Sequence, residues 1–369
     1  MRWPPGRRFF VSHQFRSPCR SVSTRLRLGT DLFPACRVQA RNEDAKLKTL
    51  SLLAALALAT VAAAADPDRD AALGRLRTAA AELRFVAYTP TDLRVSGAQI
   101  EPATRNQIRA DLDLLRSDFQ ALVTYSCDSG LEAVPAIARE LGFRGLILGI
   151  WDPQSTLEFE NAVALAKTYP DLILAITVGN ETLLAQRNDW PSLRAALERL
   201  RRALPGVPVA TSEPFYFYLN DEPEGFLAAQ DFLLPGVHPL YEPWYQQASH
   251  EAVNFVVNVA QELREKTDKP VLIKETGLPS GPESAGFSPH QQADFWVELT
   301  QRLAPGEGLG LVYFEAFDHA WKVENAVAEF GFRPEEAYWG LYREDGEPKP
   351  VISALRRVWT TPRAPLMPH

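Results

Sequence analysis

Short apolar runs alternate with amphipathic stretches along the chain from residue 66 onward. Eight of these runs are four to seven residues long and apolar at nearly every position. A parallel strand that is covered by helices on both faces has this continuous pattern, whereas a half-solvated strand alternates apolar with polar residues. The eight predicted strands span residues 84–88, 121–126, 146–151, 172–178, 207–211, 232–238, 271–274 and 310–314.

The segments between these runs have helical spacing. Apolar residues recur three or four positions apart over 108–119 and 253–263, which is the period of one buried helix face. Ser288 followed by Pro289 predicts the start of another helix, because serine caps helices and proline suits their first turn. Eight strands alternating with helices over about 290 residues favour a single closed (β/α)8 TIM barrel of the α/β class, since such barrels have about 250 residues.

The chain lacks a glycine-rich phosphate-binding loop. Neither GxGxxG nor GxxxxGK[ST] follows the early strands, so no nucleotide is expected as a ligand. Functional side chains of a TIM barrel lie at the carboxyl ends of its strands. The residues that directly follow each run are therefore the candidates for chemistry.

Charge is distributed unevenly along the chain. The formal net charge is −7, but residues 1–65 hold 11 Lys and Arg against 3 acids, which leaves 28 basic and 43 acidic residues in the remainder. A surface with this excess of carboxylates repels phosphate backbones, so nucleic acid is not an expected partner.

Cysteine and histidine patterns add no further chemistry. Cys19 and Cys36 lie in the N-terminal segment and Cys127 stands alone, so a disulfide framework is not expected. The spacing of His, Cys and Asp does not indicate a metal site. We therefore expect neither a metal nor another cofactor.

The first 65 residues predict two segments ahead of a barrel domain at 66–369. Lys46 and Lys48 precede an apolar stretch, which ends in alanines before Asp66. This order predicts a secretory signal peptide at 46–65, too short for a retained membrane span. We expect a periplasmic or secreted protein without stable membrane insertion after signal removal. Residues 1–45 are a basic extension that a start codon assigned too far upstream would explain.

Two glutamates follow predicted strands on what is expected to be one rim. Glu181 follows the fourth run and Glu275 the seventh, 94 residues later, a spacing of three regular β/α units. Retaining glycoside hydrolysis requires such a pair about 5 Å apart, one protonated to assist the leaving oxygen and one ionised to attack the sugar. Like charges at this separation push the two pKa values apart.

Several motifs, in one order along the chain, resemble glycoside hydrolase family 17, the β-1,3-glucanases and β-1,3-glucanosyltransferases, in its bacterial type. The matching motifs are TYS at 124–126, LGIW at 148–151, VGNE at 178–181, ETGLPS at 275–280, FEAFD at 314–318 with Trp321 and Lys322, and WGL at 339–341. The resemblance covers about residues 84–345. It implies that Glu181 is the proton donor and Glu275 the nucleophile. It also implies that Lys322 and Glu336 line the site.

The resemblance implies an enzyme of the endo-β-1,3-glucanase type, which acts on β-1,3-glucan through a glucosyl-enzyme intermediate. Water as the acceptor gives hydrolysis, and a second glucan gives transglycosylation by a glucanosyltransferase; the sequence leaves both open. A β-1,4- or β-1,6-glucan also stays open, because enzymes for other linkages share this catalytic geometry. The alternative from another class is a non-catalytic glucan-binding protein, which the presence of both glutamates disfavours.

Two polar residues are expected beside the catalytic pair. Asn180 directly precedes the acid and is expected to donate to the sugar 2-hydroxyl, although it would also suit a helix cap. Tyr241 follows the sixth predicted strand, from where its hydroxyl would reach the nucleophile and keep it ionised, unless the ring only packs. His238, at the end of that strand, is expected to be structural.

The strand 8 motif departs from the family pattern at one position. Relatives place an acid two residues after the second Phe of this motif, where the chain has His319. Either Glu315 or Asp318 supplies the missing charge, or His319 donates a hydrogen bond and titrates near neutral pH. His319 as a surface loop residue without a role is the remaining interpretation.

Aromatic residues at strand ends are candidates for stacking on sugar rings. Tyr88, Trp151, Trp244 and Trp321 have such positions, and about half of them are expected to form subsites. Trp190, Trp296 and Trp359 are expected to pack in helices or in the tail.

Overall fold

The computed structural model describes residues 67–303, 306 and 308–360. The predicted basic extension at 1–45 and the predicted signal peptide at 46–65 lie outside these residues. Among the helices of the described residues, none combines the length and the apolarity needed to cross a bilayer.

Seven strands of the described chain form one parallel sheet that curls into a barrel. Its order is β7-β6-β5-β4-β1-β9-β8. A separate antiparallel hairpin, β2 with β3, follows β1 and was not predicted. The strands are β1 Phe85–Tyr88, β2 Arg94–Ser96, β3 Gln99–Glu101, β4 Ala121–Thr124, β5 Gly145–Ile150, β6 Ile173–Asn180, β7 Val209–Ser212, β8 Val271–Ile273 and β9 Leu309–Tyr313.

The eighth position of the barrel is taken by segment 231–237, which is not a regular strand. Parallel bridges join Leu233 to Val271 and Gly236 to Glu275 on one side, and Gly236 to Pro214 on the other. Pro235 interrupts this segment and has no N–H to donate to a ladder. The predicted (β/α)8 barrel is confirmed, with its sixth strand reduced to isolated bridges.

Helices surround the sheet. The predicted helix after Ser288 begins at Pro289, and the Ser288 hydroxyl accepts the N–H of Gln291 at 3.3 Å. The helices of the described residues are α1 Pro67–Glu82, α2 Arg105–Leu115, α3 Val134–Glu140, α4 Thr156–Thr168, α5 Trp190–Ala203, α6 Phe215–Asn220, α7 Ala252–Lys266, α8 Pro289–Arg302, α9 Lys322–Phe330 and α10 Pro350–Thr360.

The core follows from the continuous apolar runs. Every residue of β4, β5, β6 and β7 is buried, as expected for strands that have a filled interior on one face and helices on the other. Trp296 is fully buried, and Trp190 and Trp359 pack against the core. The prediction that these three tryptophans pack rather than bind is consistent with their positions.

Candidate active site

The two predicted glutamates lie at the carboxyl ends of β6 and β8, on one rim of the barrel, and face one imidazole. Glu275 Oε2 is 3.6 Å from Nε2 of His238. A Cβ built on Gly236 would lie 3.8 Å from Oε1 of Glu181 and 3.9 Å from the same Nε2. Both carboxylates therefore open onto the space around His238, which the sequence assigned to a structural role only.

The pKa values of the two carboxyl groups are displaced in opposite directions. Burial and the charge of Glu275 raise the pKa of Glu181 to about 7. Burial also acts on Glu275, but the charge of Lys274 and interactions with His238 and Tyr125 outweigh it and lower its pKa to about 2. Between these values Glu181 carries a proton and Glu275 carries a charge, as the like-charge argument predicts.

Lys274 is a buried cation that the sequence reasoning missed. Its ammonium lies 3.4 Å from Oε1 of Glu275 and 4.2 Å from the ring centroid of Tyr125. It also donates a hydrogen bond to Oδ1 of Asn180. A lysine at the end of an otherwise apolar run was the available signal, because a buried charge requires a partner.

Asn180 is oriented by this lysine. Its Oδ1 accepts the hydrogen bond from Lys274, whereas no hydrogen bond donated by its Nδ2 is found among the described residues. The next helix of the chain, α5, is capped by Asp189 instead. The alternative that Asn180 caps a helix is therefore wrong, and its amide N–H groups are available at the site.

The predicted contact between Tyr241 and the nucleophile is wrong. The hydroxyl of Tyr241 donates to Glu336, and its ring lies beneath the guanidinium of Arg333. Tyr125, directly after β4, takes the expected place: its hydroxyl faces Glu275 and lowers the pKa of that group, although it lies outside strict hydrogen-bonding geometry. Burial lowers the pKa of His238, but Glu275 and Glu181 outweigh this effect and raise it. The charge of Glu336 adds to the rise, so Glu336 acts on the site electrostatically.

Glu315, not Asp318, is the acid of the strand 8 motif that pairs with Lys322. Lys322 Nζ lies 2.6 Å from both of its carboxylate oxygens. Burial raises the pKa of Glu315 to about 7, although Lys322 opposes this. Asp318 points elsewhere, to Lys349 Nζ at 2.6 Å and the N–H of Gly340 at 3.0 Å, so its predicted place in the substrate site is wrong.

His319 is neither a surface residue nor a neutral-pH switch. The side chain is fully enclosed, and burial together with the charges of Lys322 and Arg94 lowers its pKa well below its usual range. Both ring nitrogens lack a hydrogen bond of good geometry. The histidine is therefore neutral, and the prediction of a titration near neutral pH is wrong.

The four aromatic candidates have different environments. Tyr88 is fully buried and donates to Asp111 at 3.0 Å, so it has no face for a sugar and its predicted subsite role is wrong. Trp151 is 43% exposed beside the guanidinium of Arg187. Trp244 packs on Phe255 with ring centroids 5.3 Å apart.

The fourth candidate, Trp321, and one further aromatic remain. Trp321 packs against His319, and its Nε1 has no partner among the described residues. Tyr216, in α6, was missed by the sequence reasoning. It is 40% exposed, and burial with the charges of Glu181 and Glu213 raises its pKa to about 12. Its position in a short FYFY run at 215–218 resembled core packing.

No group of three or more His, Cys, Asp or Glu side chains within 67–303, 306 and 308–360 has the geometry of a metal site. The described lone cysteine, Cys127, is buried, and burial raises the pKa of its thiol.

Comparison with known proteins places this site in a family context. Residues 86–340 match a family model described as the BtgE/BtgC glycoside hydrolase domain. A glucan 1,3-beta-glucosidase from Arthroderma benhamiae is 27% identical over 257 residues, which are 65% of this chain and 82% of that protein. One from Schizosaccharomyces pombe is 25% identical over 247 residues, 60% of this chain and 74% of that protein.

A solved structure has the same fold. The glycoside hydrolase family 17 β-1,3-glucanosyltransferase from Rhizomucor miehei superimposes with a TM-score of 0.57 at 22% identity. The match covers 73% of this chain and 96% of that one. It agrees with the closed barrel described above.

Proposed function

The chain belongs to the BtgE/BtgC glycoside hydrolase family, and we propose that it is a retaining enzyme that acts on β-1,3-glucan through a glucosyl-enzyme intermediate. The observation that carries the proposal is the pair of carboxyl groups around His238, with the pKa of one raised and that of the other lowered. The names of the relatives, glucan 1,3-beta-glucosidases, support the substrate. The motifs that resemble glycoside hydrolase family 17 agree with this membership, and the bacterial type stays a prediction.

In the proposed reaction, Glu275 attacks the anomeric carbon while Glu181 transfers its proton to the departing glycosidic oxygen. The products of this step are a glucosyl ester on Glu275 and a shortened glucan. Glu181, now ionised, takes a proton from the acceptor, which displaces Glu275 from the sugar. Lys274 and His238 favour the charged form of Glu275, and this supports its role as both nucleophile and leaving group.

Other side chains around the pair are proposed to hold the sugar. The free amide N–H of Asn180 suits the 2-hydroxyl, where a contact strengthens in the transition state. The Glu315–Lys322 pair and Glu336 are proposed to bind further hydroxyl groups. Trp151, Trp244 and Trp321 are proposed to offer ring faces or edges, and Tyr241 is proposed to bind sugar beside Glu336.

Two versions of the proposal differ in the acceptor that takes the glucosyl group from Glu275. The favoured version is hydrolysis of the endo-β-1,3-glucanase type, with water as the acceptor. Transglycosylation to a second glucan has the support of exposed rings near the acid: Tyr216 interacts with Glu181, and Trp151 lies over Arg187, which donates to the carbonyl of Asn180. Such rings would bind an acceptor sugar.

Incubation of the purified protein with laminari-oligosaccharides of one length tests the proposal. Shorter products alone indicate a hydrolase, and longer products indicate a glucanosyltransferase. Unchanged substrate that still binds the protein would indicate the non-catalytic alternative. Glu275→Ala serves as the control, since it removes the proposed nucleophile and should form no product of either kind.

We also propose that the protein is exported to the periplasm or the medium. The support is the predicted signal segment at 46–65. N-terminal sequencing of the exported form tests this, and a mature protein that retains residues 46–65 contradicts it.

A further inference from the structure

Glu213 is a buried carboxylate that the proposed reaction does not use. It directly follows β7, and its side chain is fully enclosed. Oε1 accepts the backbone N–H of Leu183 at 2.8 Å, and Oε2 accepts that of Leu184 at 3.2 Å. Both amides belong to the turn that immediately follows Glu181. One carboxylate thus holds the chain just beyond the proposed acid.

The backbone of Glu181 needs such support. Its φ is +49°, in the left-handed region that side chains other than glycine seldom adopt. A conformation of this kind is strained and persists only where the surroundings fix it. The N–H of Glu181 donates to the carbonyl of Ser212 at 2.8 Å. Ser212 and Glu213, adjacent in sequence, therefore hold the backbone on both sides of the acid.

Glu213 is itself firmly anchored. Its N–H donates to the hydroxyl of Tyr218 at 3.2 Å, and that hydroxyl donates to the carbonyl of Thr211 at 2.9 Å. Its carbonyl accepts the N–H of Gly236 at 3.0 Å. The carboxylate is therefore presented to the turn from a fixed position in the barrel.

Glu213 also acts on the acid through its charge. It raises the pKa of Glu181, in addition to burial and Glu275. Burial raises the pKa of Glu213 itself to about 7, opposed by the backbone N–H groups of the turn and by Arg187. The other titratable groups that face Glu213 are Lys274, Tyr216 and Tyr218.

We propose that Glu213 is a positioning residue for the general acid: its carboxylate fixes the turn over 181–184 and so aims the side chain of Glu181 at the glycosidic oxygen. The proposal rests on the role of Glu181 given under the proposed function. Glu213 contacts backbone amides and not the sugar. Its loss is expected to impair proton donation while leaving attack by Glu275 intact.

The test measures kcat/KM for a series of aryl β-laminaribiosides whose leaving phenols differ in acidity. In Glu213→Gln one acceptor oxygen becomes an NH2 group that faces a backbone donor, so the turn loses a hydrogen bond. We expect a loss of about 10-fold or more with weakly acidic phenols, since general acid catalysis contributes about 10²–10⁴-fold. With dinitrophenol, which leaves without a proton, we expect a loss under about 2-fold.

The pH profile gives a second readout, which a purely structural role would not move. Glu213 repels the charge of ionised Glu181 and thereby raises its pKa. The neutral glutamine removes this repulsion, so the alkaline limb of kcat/KM is expected to shift to lower pH in Glu213→Gln. Glu213→Asp keeps the charge but is too short for both hydrogen bonds. It is expected to show the leaving-group effect with little shift of the alkaline limb.

Glu158 offers a matched control on another part of the barrel. It is also buried, and its two oxygens accept the backbone N–H groups of Trp151 at 2.9 Å and Asp152 at 2.8 Å, while Oε1 also accepts the hydroxyl of Ser126 at 2.6 Å. Glu158→Gln therefore disturbs a comparable buried carboxylate that holds a loop. We expect it to affect all aryl substrates by the same factor and to leave the alkaline limb in place.

Two patterns would overturn the proposal. One is a uniform loss across the phenols in Glu213→Gln with an unmoved alkaline limb, as in the control. The other is a folded Glu213→Asp with the leaving-group dependence of the wild type, which decides the matter if the glutamine variant does not fold. Glu181→Ala distinguishes this failure from a wrong assignment of the acid. If the loss of kcat/KM in Glu181→Ala is also the same for all phenols, the proposed role of Glu181 itself is wrong.

Discussion

The ammonium of Lys274 lies 3.4 Å from Oε1 of Glu275, and both side chains are buried. A cation this close stabilises the charged form of the proposed nucleophile, which is buried and is therefore not stabilised by water. The same ammonium holds Asn180, so nucleophile and proposed 2-hydroxyl donor share one anchor.

Replacing this cation with an apolar side chain of similar length tests its role. Without the charge of Lys274 the pKa of Glu275 rises, so the nucleophile is protonated at a higher pH. In Lys274→Met we expect the acidic limb of kcat/KM to move up by roughly one to three pH units, the effect of one nearby opposite charge. The measurement is a pH profile on laminari-oligosaccharides between the limits of protein stability.

Lys349→Met is the control for this variant. Lys349 is also buried and paired, with Asp318 at 2.6 Å, but it lies outside the catalytic pair. The variant is expected to be less stable than the wild type, because the partly buried carboxylate of Asp318 loses its cation, but its acidic limb is expected not to move. Equal limb shifts in both variants would contradict a specific role for Lys274.

The alkaline limb reports on the acid. Because the pKa of Glu181 is raised to about 7, its proton is present below that pH and lost above it. We expect kcat/KM on laminari-oligosaccharides to fall as pH rises through about 7. The fall is expected to flatten for a dinitrophenyl glycoside, whose departure needs no proton. Glu213 and Glu315 titrate in the same range, and an equal fall on both substrates would point to them instead.

Rescue by azide tests whether Glu275 is the nucleophile, because the configuration of the product identifies the displaced group. Glu275→Ala is expected to be inactive, and added azide is expected to restore turnover with an activated glycoside by filling the vacated space. A single displacement on a β-glycoside gives an α-glucosyl azide, which NMR identifies. A β-configured azide, or activity without azide, is incompatible with Glu275 as the nucleophile.

Replacement of two tyrosines near the site by phenylalanine is expected to affect the acidic limb differently. Tyr125 lowers the pKa of Glu275, so Tyr125→Phe is expected to move the acidic limb to higher pH. Tyr241→Phe loses a contact with Glu336 and is expected to leave that limb in place. Paired pH profiles check this. A limb shift in Tyr241→Phe alone would restore the role that the sequence first suggested for it.

Much of the fold was readable from the sequence because burial on both faces forces continuous apolar strands. The positions of Glu181 and Glu275 followed, since strand ends share a rim in any closed barrel. The directions of individual side chains could not be predicted from the position of a residue at a strand end. Tyr88 ends β1 but points to Asp111, and Tyr241 lies in a short helical turn that aims its hydroxyl at Glu336.

The contacts that hold the site residues in place were the other feature that the sequence did not predict. Nothing in the order VLIKE at 271–275 indicates that the lysine turns toward Asn180, 94 residues earlier in the chain. The hydrogen bonds from the amides of Leu183 and Leu184 to Glu213 were equally unpredictable from the sequence, because they depend on the left-handed backbone of Glu181. Such contacts arise from barrel closure and have no local pattern.

The isolated bridges of segment 231–237 create a seam in an otherwise continuous ladder. The proposed acid stands on one side of that seam and the nucleophile on the other, with His238 at its end. Local opening there would part the two carboxyl groups while the remaining strands stay paired. We therefore expect thermal inactivation to precede loss of the circular dichroism signal, because opening at this seam separates the pair before the barrel as a whole unfolds.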